Sequence, residues 1–249
     1  MRAFVLKLKP ANGYSGIVHQ ALVSLLPVIV FVLVRLNFFQ LALAIIVLSK
    51  WRMFAVKPRY WPANIRANGI DIIVGFSIVL FMTHSSTSLL QLMWALIYVA
   101  WLVAIKPITN VLGTSFQAMI GQLFGLMALF LEWPAAPLYG LVAGAGVICY
   151  ASARHFFDSY DEPYSRLLSY TWAYFGAALT WLLGHWLLFY GLVAQPTLIL
   201  TVIGYGLAVL YYFDHTDRLS KLMQRQFIFV MLAIIIIVLS LSNWSDKIT

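Results

Sequence analysis

Charge is what this chain has least of. Only 10% of its 249 residues are Asp, Glu, Lys or Arg, while 63% are hydrophobic. A water-soluble domain carries about a quarter charged residues and about half apolar ones, and one of this length cannot hide the excess inside itself. A soluble fold is therefore excluded, in keeping with a mean hydropathy of +0.90. Cysteine is nearly missing: Cys149 is alone and sits in an apolar run. That rules out an internal disulfide and a thiolate metal cluster and leaves a small buried hydrophobe. The sequence has no Gly/Ser linker and no loop long enough for a soluble domain. It has no His-Glu-x-x-His, no Gly-x-Ser-x-Gly and no phosphate-binding P-loop. No lysine lies deep in an apolar run to anchor retinal. No histidine pair stands ready for haem, and no run is rich enough in arginine for a voltage sensor.

What the chain has is long hydrophobic runs. A bilayer core of about 30 Å takes about 20 apolar residues per helix. The runs fall near 17–34, 37–50, 70–84, 89–105, 111–131, 136–153, 169–192, 197–213 and 227–242. They predict an all-α, polytopic transmembrane bundle of about nine spans, a single integral membrane domain over 1–249. Residues 17–49 are long for one span and short for two. As a single helix they would reach about 50 Å, so a tight hairpin at Arg35-Leu36-Asn37 is the better reading. The alternative is eight spans with the N-terminus outside. The basic arm Met1–Pro10 precedes the first run with no small-x-small site after it, and reads as a surface-lying segment rather than a cleaved signal.

Charge sets the orientation. With the N-terminus inside, Arg2, Lys7, Lys9, Lys50, Arg52, Lys57, Arg59, Arg66, Lys106, Arg154, Arg166, Arg218, Lys221 and Arg225 all fall in cytoplasmic segments. Only Arg35 and Lys247 fall outside them. Cytoplasmic loops collect Lys and Arg, so this sorting favours nine spans, N-in and C-out, in a bacterial-type cytoplasmic membrane. The net charge of +8 then belongs to lipid rather than to nucleic acid. Lys50, Arg52, Lys57, Arg59 and Arg66, interleaved with Trp51, Phe54, Tyr60 and Trp61, read as a segment gripping anionic headgroups.

A few polar residues could carry chemistry. Gln117 and Gln122 lie within the fifth run, about 140° apart around a helix. His185 falls in the seventh run and Tyr205 in the eighth. Ionisable or amide side chains inside spans bind ligands or stitch helices together, so these four are the candidate ligand-binding residues. Two acidic loops, Arg154 to Arg166 and Asp214 to Gln226, share the cytoplasmic face. Their His155, Asp158, Asp161, Asp214 and Asp217 could converge on a hard divalent cation or zinc. The competing reading is surface ion pairs and helix caps at Asp158 and Asp214. Asp71 reads as a carboxylate at a helix N-terminus, within reach of Arg66. Trp94, Tyr98 and Trp101 form a stripe of helical spacing that reads as packing. Gly121/Gly125 and Gly140/Gly144 predict an antiparallel pairing of the fifth and sixth runs.

Together these features predict a non-enzymatic protein that binds or moves a small or lipidic solute. It would act alone, as a homo-oligomer, or as the membrane subunit of a larger complex. The alternatives are a cytoplasmic-face, metal-dependent lipid-modifying enzyme built on the two acidic loops, and a helix-packing scaffold.

Overall fold

A computed structural model of the chain describes residues 14–186, 188–190 and 193–242, with side chains from residue 24 onward except that of Arg52. Arg2, Lys7, Lys9, Lys247 and the Arg52 side chain lie outside what is described. Among the described residues there are nine α-helices. They are α1 Tyr14–Arg35, α2 Phe39–Leu48, α3 Trp61–Thr83, α4 Ser88–Ala100, α5 Val111–Glu132, α6 Leu138–Asp158, α7 Ser165–Gly184, α8 Gln195–His215 and α9 Lys221–Leu241. A π-helical turn, Trp101–Ile105, prolongs α4, and two 3-10 turns lead into α3. Five helices are long and apolar enough to cross a membrane: α3, α4 with its π turn, α5, α8 and α9. The ten residues of α2 would extend about 15 Å, half a bilayer core.

Residues 17–49 do form a hairpin, and the turn chemistry explains it. Asn37 takes a left-handed backbone, φ 61°, which Asn tolerates better than most residues. Phe38 N–H then donates to the Leu33 carbonyl at 2.9 Å and Asn37 N–H to that of Val34 at 3.0 Å. This closes α1 with a Schellman motif. The same device ends α8, with Asp217 at φ 53° and Arg218 N–H on the Phe213 carbonyl at 2.8 Å; Asp161, φ 51°, stands just past α6.

Other boundaries differ from the apolar runs. α3 starts nine residues before run 70–84, because Pro62 sits in its first turn, where a missing N–H costs nothing. Much of the basic stretch before residue 70 is therefore helix. Run 169–192 divides: α7 stops at Gly184, and Phe189–Tyr190 (β1) pairs antiparallel with Val193–Ala194 (β2). Pro196 opens α8 rather than closing the helix before it.

Two apolar clusters organise the bundle. The first gathers α1–α4 around Val30, Ala42, Ile46, Val74, Ile78 and Tyr98. The second joins α5, α6 and α8 through Leu126, Phe130, Leu141, Cys149 and Leu200. α5 and α6 pair antiparallel as expected: a Cβ on Gly125 would lie 2.9 Å from Ile148, and one on Gly144 2.8 Å from Leu129. Gly121 instead admits Ile70 of α3, and Gly140 faces open space. The most extensive helix pairing was not foreseen. It is α6 on α7, where a Cβ on Gly176 would stand 2.5 Å from Cys149 Sγ. The outer faces are apolar: Leu89, Leu96, Leu112, Val147, Leu167 and Phe229 are exposed, and of α9 only Val238 is buried. Such surface is stable only against lipid or another apolar body.

Candidate functional site

A cavity of about 700 Å³ lies between α5, α6, α7 and α8, within the range of small-molecule sites. Phe156, Phe157, Leu168, Phe175, Leu207 and Leu210 are among the apolar side chains of its wall. α7 and α8 touch each other only slightly, and both border the space. One end is the Asp214–Leu219 turn. The other reaches Thr201, 13 residues back along α8 and so about 20 Å away.

Gln122 forms the inner floor. Its Nε2 donates to the Leu200 carbonyl at 3.0 Å, and its Oε1 accepts from Trp172 Nε1 at 2.8 Å. One amide thus ties α5 to α7 and α8, and both its ends are satisfied. Gly204 permits this, since a Cβ there would lie 2.9 Å from Gln122 Nε2 and 3.1 Å from the Trp172 ring. The register that sets Ile148 against Gly125 brings Ser152, one turn on, to the level of Gln122. Ser152 and Thr201 both line the cavity, and neither hydroxyl has a hydrogen-bond partner. Tyr205, half exposed, lines it as well.

Gln117 points elsewhere, as its 140° offset from Gln122 requires. Its Nε2 donates to the carbonyls of Ile105 at 2.8 Å and Ile108 at 2.9 Å, and its Oε1 meets His155 Nε2 at 3.0 Å. It fastens the end of the π turn to α6. His185 lies just past the end of α7, and its exposed ring folds back on the Trp181 carbonyl at 2.7 Å. Of the four candidate ligand residues, the structure therefore brings Gln122 and Tyr205 together at one cavity, and leaves Gln117 and His185 outside it.

Among the described residues, no three His, Cys, Asp or Glu side chains gather where a metal ion could sit. His155 is turned to Gln117, and Asp158 pairs with Arg154 at 3.0 Å within its own helix. Asp161 and Asp217 stand in left-handed turns just past their helices, and Asp214 sits at the cavity mouth. The two loops do meet, chiefly through rings: Tyr160 packs on Tyr211 at 5.1 Å and on His215 at 5.2 Å. Glu162 accepts from the Tyr211 hydroxyl. The Tyr160 phenol is raised above its usual range, chiefly by burial.

A buried charge cluster lies at the same end of the bundle. Asp71 is not at a helix N-terminus but in the third turn of α3, and it is buried. One oxygen accepts from both Lys50 and Lys106, and the other from Trp101 Nε1 at 2.9 Å. Arg66 instead caps its own turn on the Pro62 carbonyl at 3.2 Å. Lys50, buried against Asp71, is unavailable to headgroups, whereas Lys57, Arg59 and Arg66 are exposed. Tyr98 and Trp101 are core, and Trp94 packs on Phe81 at 4.7 Å. The opposite end carries Arg35 with Gln91 at 3.4 Å and His84 with Glu132 at 3.6 Å.

The sequence reading missed Ser152, Thr201, Trp172 and the pairing of Lys50 and Lys106 with Asp71. For the lysines a signal existed: Asp71 is a lone carboxylate at the edge of an apolar run, and such a group needs a cation. Comparison with known protein families, curated proteins and solved structures finds no match for this chain.

Proposed function

We propose that this chain is a polytopic membrane protein that binds or moves a small lipidic solute through the cavity between α5 and α8. It does so without chemical turnover, alone or as the membrane subunit of a larger complex. The cavity carries this reading. It is roomy, walled largely by apolar side chains, bordered by two helices that barely touch, and floored by one amide that locks three helices together. A bundle built only for packing would close such a space, because every void forfeits contacts.

The proposed orientation is N-terminus in and C-terminus out, in a bacterial-type cytoplasmic membrane. Support comes from the two ends of the bundle. Lys50, Lys106 and Arg154 meet Asp71 and Asp158 at one end, while Arg35 stands at the other. The charge-rich end is the cytoplasmic one by the positive-inside rule. Lys57, Arg59 and Arg66 then face anionic headgroups beside the exposed rings of Tyr60 and Trp61.

The test is lipid analysis of the purified protein by native mass spectrometry. Wild type should carry an apolar species through purification. Ala153→Trp, which places an indole in the cavity, should lose it while keeping its melting temperature within a few degrees. No retained species, or equal retention by both proteins, would overturn the reading.

A further inference from the structure

We propose that the cavity takes a neutral, oxygen-bearing lipid (a long-chain or prenyl alcohol, ketone or quinone) with its oxygen held by Ser152 and Thr201. The inference rests on the function proposed above and names the class of solute.

Hydroxyls in these helices ordinarily look after themselves. Ser77, Thr83, Ser115, Ser169 and Thr171 each donate to the carbonyl four residues back, at 2.6–3.0 Å. Ser152, Thr180, Thr197 and Thr201 do not, and of these only Ser152 and Thr201 line the cavity. Ser152 is 3% exposed, and neither its Oγ nor Thr201 Oγ1 has a partner. A buried hydroxyl left unpaired is costly, and both residues line the same cavity. The neighbouring amide cannot serve a ligand without breaking the bundle, because Gln122 is committed to Leu200 and Trp172. The unsatisfied hydrogen-bonding capacity at the inner end is therefore two hydroxyls, each able to donate or accept.

Charge narrows the class. Among the described residues no Lys, Arg or His lines the cavity, and the one carboxylate that does, Asp214, is at the far end. A phosphate or ammonium drawn to the level of Gln122 would lose its hydration with no counter-charge to replace it. A carbonyl or hydroxyl would lose far less and would regain it from Ser152 and Thr201. The apolar body then lies along Phe156, Phe175 and Leu207 and passes between α7 and α8, which barely touch, so the molecule enters from the bilayer.

The experiment uses the full chain in nanodiscs and four probes carrying the same photoreactive diazirine: hexadecanol, hexadecane, hexadecyl phosphate and hexadecyltrimethylammonium. Half-saturation of labelling at cavity residues is read for each. Hexadecanol should saturate at the lowest concentration, about fivefold below hexadecane, with both charged probes weaker still. Ser152→Ala should weaken hexadecanol about fivefold, and Ser152→Ala with Thr201→Val about twentyfold. Hexadecane should be unchanged in both variants. That constancy also shows that the variants keep the cavity, and removing unpartnered hydroxyls does not threaten folding. Equal binding of alcohol and alkane, tighter binding of a charged probe, or an alcohol indifferent to the double variant would overturn this inference while leaving a lipid-binding cavity. Failure of every probe to label the cavity would overturn both.

Discussion

Replacing Asp71 by Asn isolates the buried charge cluster. The substitution keeps shape and removes the charge that Lys50 and Lys106 share. The two lysines differ in what they can do next. The Lys106 side chain is 38% exposed and can turn to water, whereas that of Lys50 is 10% exposed and cannot. Stranding one buried charge costs about 3–5 kcal/mol, and with only Lys50 stranded the lower end, about 3 kcal/mol, applies. For a chain of this size 1 kcal/mol moves the melting temperature by about 2–4 °C, so Asp71→Asn should lower it by about 6–12 °C. Lys50→Met should cost less, because Asp71 keeps Lys106 and Trp101. Scanning fluorimetry in one detergent reads both. An Asp71→Asn protein melting within about 2 °C of wild type, or a Lys50→Met protein melting lower than it, would refute the reasoning.

Gln122→Leu should cost about 2 kcal/mol, since it strips the Trp172 indole of its acceptor, and tryptophan fluorescence should report the altered environment. Gly176→Ala forces a methyl against Cys149 Sγ and should cost about 1–3 kcal/mol; Cys149→Ala should restore part of the lost melting temperature. With buried Cys149 silent, a cysteine at position 35 should react with an impermeant maleimide from outside whole cells. One at position 59 should react only from the cytoplasmic side of inverted vesicles, and labelling of both from one side would refute the proposed orientation.

Helices longer than a span were legible because apolar runs and their charged ends report directly on lipid. The hairpin at Asn37 could be inferred from chain length alone, since 33 residues suit neither one helix nor two full ones. Boundaries were less legible where polarity and backbone geometry part company. α3 begins in the basic stretch because Pro62 starts helices well, and α6 and α8 run past their apolar runs because backbone hydrogen bonds continue after hydropathy falls. The site was half legible. Gln122 stood out as an amide in a span, but its partners lie 50 and 78 residues away, beyond any local pattern. Ser152 resembles the other small residues of α6 in sequence, and only the missing carbonyl bond sets it apart. At Asp161 and Asp217 the acidity was visible in sequence, whereas the left-handed backbone was not.

The proposed lipidic occupant of the cavity should be directly visible. A cryo-electron microscopy map of the full chain in nanodiscs tests this most directly. The account predicts elongated density between α7 and α8, ending beside Ser152, Thr201 and the Gln122–Trp172 pair. A map in which α7 and α8 close on each other, leaving a dry and solid core there, would contradict it.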